Sequence, residues 1–180
     1  MRNPWDDTEH NLSAFERNRV FLNLQGKECL EISHLTGADA DSDSRAVAAG
    51  DFNNDGMPDL LVRSVGGGPL RMFENQWPAK RWLKIQLRGV RSNSLGIGAK
   101  LKLEVGGRSL QRELYPESSF QSQQPSLVLL GLDEAEQAER LTIYWPSGEE
   151  QILENIPADS HLLITEGENE PRRLNAAPKP

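Results

Sequence analysis

Apolar and polar residues alternate strictly in short segments of the second half of the chain. The clearest segments are residues 82–87 (WLKIQL) and 100–105 (KLKLEV). A period of two places successive side chains on opposite faces of a strand, so these segments predict strands with one buried face. Glycine at 106 and 107 predicts a tight hairpin turn after the second segment. We therefore predict an all-β protein whose C-terminal part is a β-sandwich. Its predicted core contains Leu83, Ile85, Leu87, Leu101, Leu103 and Val105.

The composition excludes several classes of protein. Cys29 is the only cysteine, so neither an intramolecular disulfide nor a cysteine-based zinc cluster can form. No apolar run reaches the roughly 18 residues that a membrane-spanning helix needs. The polar, acidic N-terminal residues lack the apolar core of a signal peptide. We therefore expect no membrane span and no signal peptide in this chain.

The charge is distributed unevenly along the sequence. The chain carries 20 basic and 27 acidic residues, yet residues 63–115 hold 11 basic and 3 acidic ones. Four of these basic residues, Lys84, Arg88, Lys100 and Lys102, alternate with aliphatic residues and are predicted on the solvent side of their strands. If the strands are neighbours, they form a basic face suited to an acidic glycan or an acidic protein surface, and no nucleic acid partner is expected. The alternative is that acidic and basic segments neutralise each other in the folded protein.

Residues 51–59 (DFNNDGMPD) carry the strongest functional signal. Oxygen-bearing side chains occupy positions 1, 3, 5 and 9 of this loop, and glycine occupies position 6. Calcium binds six to eight oxygen ligands at about 2.3–2.6 Å, and this spacing turns alternate residues toward one ion. Position 12 is Val62, not the glutamate of a helical calcium hand, and strand-forming residues follow, so the loop joins two strands. A plain turn without metal is the alternative. The predicted Ca²⁺ ligands are the side chains of Asp51, Asn53, Asp55 and Asp59 and the carbonyl of Met57.

Two stretches resemble known families. Residues 46–62 resemble an FG-GAP (VCBS-type) repeat, the calcium-loop unit of integrin-like β-propeller blades. Residues 81–167 resemble an ASPIC/UnbV domain, through WLKIQLRG at 82–89, SNSLGIGA at 92–99 and WPSG at 145–148. This order resembles the C-terminal end of the cartilage acidic protein family and its bacterial relatives. The resemblance implies secretion, hence an extracellular or periplasmic location, together with calcium binding and a propeller preceding the last domain.

The resemblance and the turn signals together predict four regions. These are a polar lead-in at 1–14, a partial propeller blade of FG-GAP type at 15–78, an ASPIC/UnbV-type β domain at 79–168 and a flexible tail at 169–180. One calcium loop cannot supply the several blades of a propeller. The chain is therefore expected to be a fragment or a truncated member, whose repeat packs against the C-terminal domain because a single hairpin cannot bury a core.

The sequence offers little support for enzyme chemistry. It lacks a Gly-x-Ser-x-Gly elbow, and no acid, base and nucleophile are linked by spacing, so no catalytic residue is predicted. The favoured function is a non-catalytic, calcium-binding extracellular module for adhesion or ligand binding. The alternatives are a carbohydrate-binding module and an accessory domain of an enzyme. Trp77, Trp82 and Trp145 could stack on sugar rings, but Trp82 and Trp145 lie on alternating strands and are predicted in the core.

Overall fold

A computed structural model describes residues 17–24, 26–64, 68–116, 120 and 122–174. The predicted lead-in at 1–14 and the last part of the predicted tail, 175–180, lie outside these residues. The described residues form thirteen β-strands and one short helix, which confirms the all-β prediction. Within them, no helix has the length and apolar character needed to cross a membrane.

The N-terminal half contains a hairpin, a short helix and a small antiparallel sheet. The hairpin and helix are β1 (Phe21–Leu24), β2 (Glu28–Glu31) and α1 (Ser33–Thr36). The sheet has the order β3 (Ser44–Gly50), β4 (Asp59–Ser64) and β5 (Leu70–Phe73). Gly50 pairs with Asp59 at the end of the β3–β4 ladder, so the chain between them forms the hairpin loop. The acidic loop therefore joins two strands, as its sequence predicts.

The C-terminal half consists of two four-stranded sheets. The first has the order β11 (Glu150–Pro157), β10 (Gln137–Tyr144), β7 (Lys100–Val105) and β8 (Arg108–Glu113). The second has the order β13 (Arg172–Leu174), β12 (Ser160–Thr165), β6 (Arg81–Arg88) and β9 (Leu127–Asp133). Apolar side chains of both sheets form one buried cluster, so the two sheets make a sandwich. In the first sheet, Gly106 and Gly107 have φ angles of 54° and 73° and form the predicted turn between β7 and β8.

The predicted core is confirmed. All six aliphatic residues predicted from the alternation of β6 and β7 have side chains that are at most 2% exposed. They belong to the same cluster, although β6 and β7 lie in different sheets. The period of two therefore identified the buried face of each strand correctly.

The C-terminal end differs from the sequence-based expectation of a flexible tail from residue 169. Arg172–Leu174 forms β13, which pairs antiparallel with β12 and brings His161 opposite Leu174. The pairing satisfies backbone groups of β12 that would otherwise form a free edge of the sheet. This part of the tail prediction is therefore wrong.

Candidate metal centre

The acidic side chains of the 51–59 loop fold the loop on itself. The Asp55 N–H donates to Asp51 Oδ1 at 3.0 Å, and the Gly56 N–H donates to Asp51 Oδ2 at 3.0 Å. The Met57 N–H donates to Asp55 Oδ1 at 2.7 Å. Gly56 has a φ of 88°, a conformation that glycine adopts without steric cost, and it forms the bend that the sequence predicts. The loop is thus a closed turn held by carboxylates.

Asn53 extends this network. Its Oδ1 accepts the Asp55 N–H at 3.1 Å, and its Nδ2 donates to Asp55 Oδ2 at 3.0 Å. The same Nδ2 lies 3.2 Å from Glu74 Oε1, beyond the end of β5. The structure therefore brings three of the predicted ligands, Asp51, Asn53 and Asp55, into one hydrogen-bonded loop.

Asp59 lies at the base of the loop and faces backbone amides. It is fully buried, its Oδ2 accepts the Phe52 N–H at 3.0 Å, and its Oδ1 accepts the Asn75 N–H at 2.8 Å. These bonds tie the loop to the segment that follows β5. The described residues contain no group of three or more His, Cys, Asp or Glu side chains placed to hold a metal ion. The side-chain oxygens at 51, 53, 55 and 59 are nevertheless the hard donors that calcium takes.

Lys84 reaches into the loop from strand β6 of the sandwich. Its Nζ lies 2.7 Å from Asp51 Oδ2 and 3.4 Å from Asn54 Oδ1. The side chains of Lys84 and Asp51 are only 6% and 2% exposed, so the ion pair is shielded from water. The prediction that Lys84 lies on the solvent side is therefore wrong. It does lie on the face of β6 opposite the sandwich core, but the 51–59 loop covers that face.

Two further contacts join the FG-GAP-like hairpin to the sandwich. Gly56 lies against the indole of Trp82, so closely that a Cβ on Gly56 would be 2.0 Å from Trp82 Cδ1. The Ser122 Oγ donates to the Val47 carbonyl at 2.6 Å. The loop is consequently held by its own carboxylates and also by the domain beneath it.

The other predicted basic residues do not gather around this site. Arg88 lies in β6, whereas Lys100 and Lys102 lie in β7, which belongs to the opposite sheet. Lys102 Nζ pairs with Glu104 Oε1 at 3.1 Å on its own strand. With Lys84 buried as well, the prediction of a single basic strand face is wrong.

A cavity of about 310 Å³ lies beside the loop, between the hairpin and the sandwich. Its walls include Asp51 and Phe52 from the hairpin and Arg112 and Tyr115 from the sandwich. Phe52 and Tyr115 are both exposed, so aromatic rings from both regions border the opening. Sequence reasoning did not identify this cleft, because its walls come from segments far apart in the chain.

The three tryptophans considered as sugar-stacking residues occupy three different environments. Trp145 is buried, as predicted, and its Nε1–H donates to Gln151 Oε1 at 2.8 Å. Trp82 is half-buried beneath the loop and lies outside the core cluster, so its predicted core position is wrong. Its ring centroid lies 5.5 Å from Lys84 Nζ. Trp77 is 56% exposed. The first two are structural, which leaves Trp77 as the tryptophan of the three that is open to solvent.

Sequence reasoning also missed a buried carboxylate, Glu166, at the end of β12. Its Oε2 accepts the backbone N–H groups of Val90, Arg91 and Ser92 at 2.7, 2.7 and 2.8 Å. Its Oε1 accepts the hydroxyls of Ser92, at 2.9 Å, and Ser147. Burial of the carboxyl raises its pKa, but the hydrogen bonds from Ser147, Ser92 and Val90 outweigh this effect and bring the pKa to about 2. Glu166 thus locks together the SNSLGIGA and WPSG segments.

Comparison with protein families assigns one family to the hairpin region and another to the C-terminal sandwich. Residues 44–69 match the FG-GAP repeat, and this stretch includes the whole 51–59 loop. Residues 89–171 match the family described as ASPIC and UnbV, and this stretch includes Glu166 and all its donors. No curated protein matched the sequence. The chain therefore carries an FG-GAP repeat followed by an ASPIC/UnbV domain.

Proposed function

We propose that this protein is a non-catalytic binding module, located outside the cytoplasm, whose 51–59 loop holds Ca²⁺. The observation that carries the proposal is the closed turn in which Asp51 and Asp55 accept three backbone N–H groups. A loop already wrapped in this way loses little conformational entropy when it binds an ion. The residues that would hold calcium are Asp51, Asn53, Asp55 and Asp59 through side-chain oxygens and Met57 through its carbonyl.

Calcium would supply two positive charges where three carboxylates share one short loop. Without it, like charges oppose one another and are balanced in part by the Asp51–Lys84 pair. The loop has no position-12 glutamate, so we expect a Kd on the order of 10⁻⁵ to 10⁻³ M. Such an affinity suits the millimolar calcium of extracellular fluid.

The calcium proposal is tested by thermal unfolding and calorimetric titration of the full chain. An ion that binds only the folded state adds about 2.7 kcal/mol at a hundredfold excess over Kd. For a domain of this size that corresponds to a rise in Tm of roughly 5–10 °C. Millimolar calcium reaches this excess for a Kd of about 10⁻⁵ M and gives a smaller rise in Tm, relative to chelator, for a weaker site. Magnesium should raise the Tm poorly because it demands a tighter octahedron.

Asp55→Ala should abolish the calcium effect, because it removes a ligand from the centre of the loop. Asp41→Ala is the matched control, since Asp41 is an exposed carboxylate in the loop that precedes β3. That control should keep the full calcium response. An identical Tm of the unmodified chain in chelator and in millimolar calcium would refute the proposal.

A second candidate function, carbohydrate binding, is favoured by the cleft beside the loop. Sugar rings stack on exposed aromatic faces, and Phe52 and Tyr115 border this cleft. Tyr115→Ala should then abolish any binding seen on a glycan array, while Phe21→Ala, which removes an exposed ring on β1, should not. Equal binding by both variants would exclude the cleft as the glycan site.

A further inference from the structure

The 51–59 loop already contacts one positive charge, the ammonium of Lys84. This group lies 2.7 Å from Asp51 Oδ2 and 3.4 Å from Asn54 Oδ1. Both members of the Lys84–Asp51 pair are almost completely shielded from water. A buried charge that loses its partner is strongly destabilising, so neither side chain leaves the other without a replacement.

Asp51 is also the first of the predicted calcium ligands, and one of its two oxygens, Oδ2, is fully engaged. Oδ1 accepts the Asp55 N–H, while Oδ2 accepts both the Gly56 N–H and the Lys84 ammonium. Each carboxylate oxygen has two lone-pair sites, so Oδ2 has no free site for a metal. Coordination of calcium through Oδ2 therefore requires the ammonium to leave, and the two cations would repel each other at this distance.

The structure contains a nearby group that could receive the displaced ammonium. Lys84 and His161 are register partners on the parallel strands β6 and β12, so their side chains lie next to each other on one face of the sheet. Within the described residues, His161 Nε2 is buried and has no hydrogen-bond partner. A neutral imidazole with its proton on Nδ1 accepts a hydrogen bond at Nε2.

We propose that Lys84 is a tethered cation that competes with Ca²⁺ for Asp51. This inference rests on the proposed calcium site, and it assigns two effects to Lys84. It keeps the loop folded when calcium is absent, and it lowers the affinity of the loop for calcium. Because Lys84 belongs to the sandwich and Asp51 to the FG-GAP hairpin, calcium binding also removes the buried ion pair that joins the two regions.

The test is a calorimetric calcium titration of the full chain carrying Lys84→Met. Removing the competing charge should lower the calcium Kd by about tenfold or more, which corresponds to roughly 1.4 kcal/mol. Lys102→Met is the matched control, because it removes a lysine that pairs with Glu104 in the other sheet. The control should bind calcium with the Kd of the unmodified chain.

The outcomes separate this inference from the calcium proposal itself. Tighter calcium binding by Lys84→Met than by the unmodified chain supports the inference. If Lys84→Met binds calcium and the unmodified chain binds none, the inference is still supported and only the calcium proposal fails. Equal Kd values for Lys84→Met and the unmodified chain overturn the inference and leave the calcium proposal intact. No binding by either protein overturns both.

Loss of folding is also informative, because Lys84→Met leaves Asp51 buried without its partner. Circular dichroism measures whether Lys84→Met and the milder Lys84→Gln are folded. Each variant is compared in chelator and in millimolar calcium. Variants that are unfolded in chelator and fold when calcium is added support the inference, since calcium then replaces the ammonium. Variants that stay unfolded in both conditions overturn it.

Discussion

Replacing Glu166 by glutamine removes a negative charge from a site built entirely of hydrogen-bond donors. Three backbone N–H groups and two hydroxyls converge on the carboxylate of Glu166. A glutamine side chain offers one acceptor oxygen and turns an NH₂ group toward the remaining donors. Several donors at the buried site then lose their partner, which destabilises the folded state.

The size of this destabilisation follows from the pKa of Glu166, which falls from 4.5 to about 2 on folding. Each pKa unit corresponds to about 1.4 kcal/mol, so the charged carboxylate contributes on the order of 3 kcal/mol to the free energy of unfolding at neutral pH. The folded-state pKa lies below the unfolded one, so this contribution is complete above the unfolded pKa. It is lost as the pH falls from about 4.5 towards 2.

Urea unfolding of the unmodified chain and Glu166→Gln at a series of pH values measures this contribution. The variant should be less stable by about 3 kcal/mol at pH 7, and the difference should shrink steadily as the pH falls below the unfolded pKa. Comparing the two proteins at each pH cancels the titration of the other carboxylates. Glu150→Gln, at an exposed position on β11, should show little difference at any pH. A Glu166→Gln difference that is small at neutral pH, or constant down to pH 3, would show that the carboxylate is not held in its charged form.

Two further predictions concern the core and the hairpin. Leu103→Ala should lower the free energy of unfolding by about 2–5 kcal/mol, because Leu103 is fully buried. Ile152→Ala should lower it less, because Ile152 is half-exposed. Similar losses for the two variants in urea unfolding would contradict the core assignment. Gly56→Ala should destabilise more than Gly26→Ala, since both glycines have positive φ but only a Cβ at 56 meets Trp82. Equal losses of Tm in the two glycine variants would show that the Trp82 contact does not hold the loop.

The alternation of residue types predicted much of the sandwich but not the order of its strands. A period of two determines which face of a strand is buried, and the aliphatic residues of β6 and β7 are buried as expected. The period of two does not show which strands are neighbours in a sheet, and β6 and β7 belong to different sheets. The supposed basic face failed for this reason, because Arg88 and Lys100 lie on separate sheets.

The loop was predictable because its bonds are local, whereas its environment was not. Asp51 contacts residues four and five positions later, and the DFNNDGMPD spacing encodes those contacts directly. Lys84 reaches Asp51 from 33 residues away, and Glu166 reaches Ser92 from 74 residues away. No local pattern marks such pairs, and a lysine that alternates with aliphatic residues has the same sequence pattern whether or not another segment covers it.

Part of the uneven charge of the chain is neutralised by ion pairs within the fold. Several basic residues of the 63–115 segment pair with acids outside it, and these pairs are Lys80–Asp133, Arg81–Asp159, Arg91–Glu149 and Lys84–Asp51. These pairs are part of the mutual neutralisation that the sequence left open. The first three pairs are partly exposed and each contributes little to stability. Among these four pairs only Lys84–Asp51 is almost completely buried, so a competing cation would have its largest effect there.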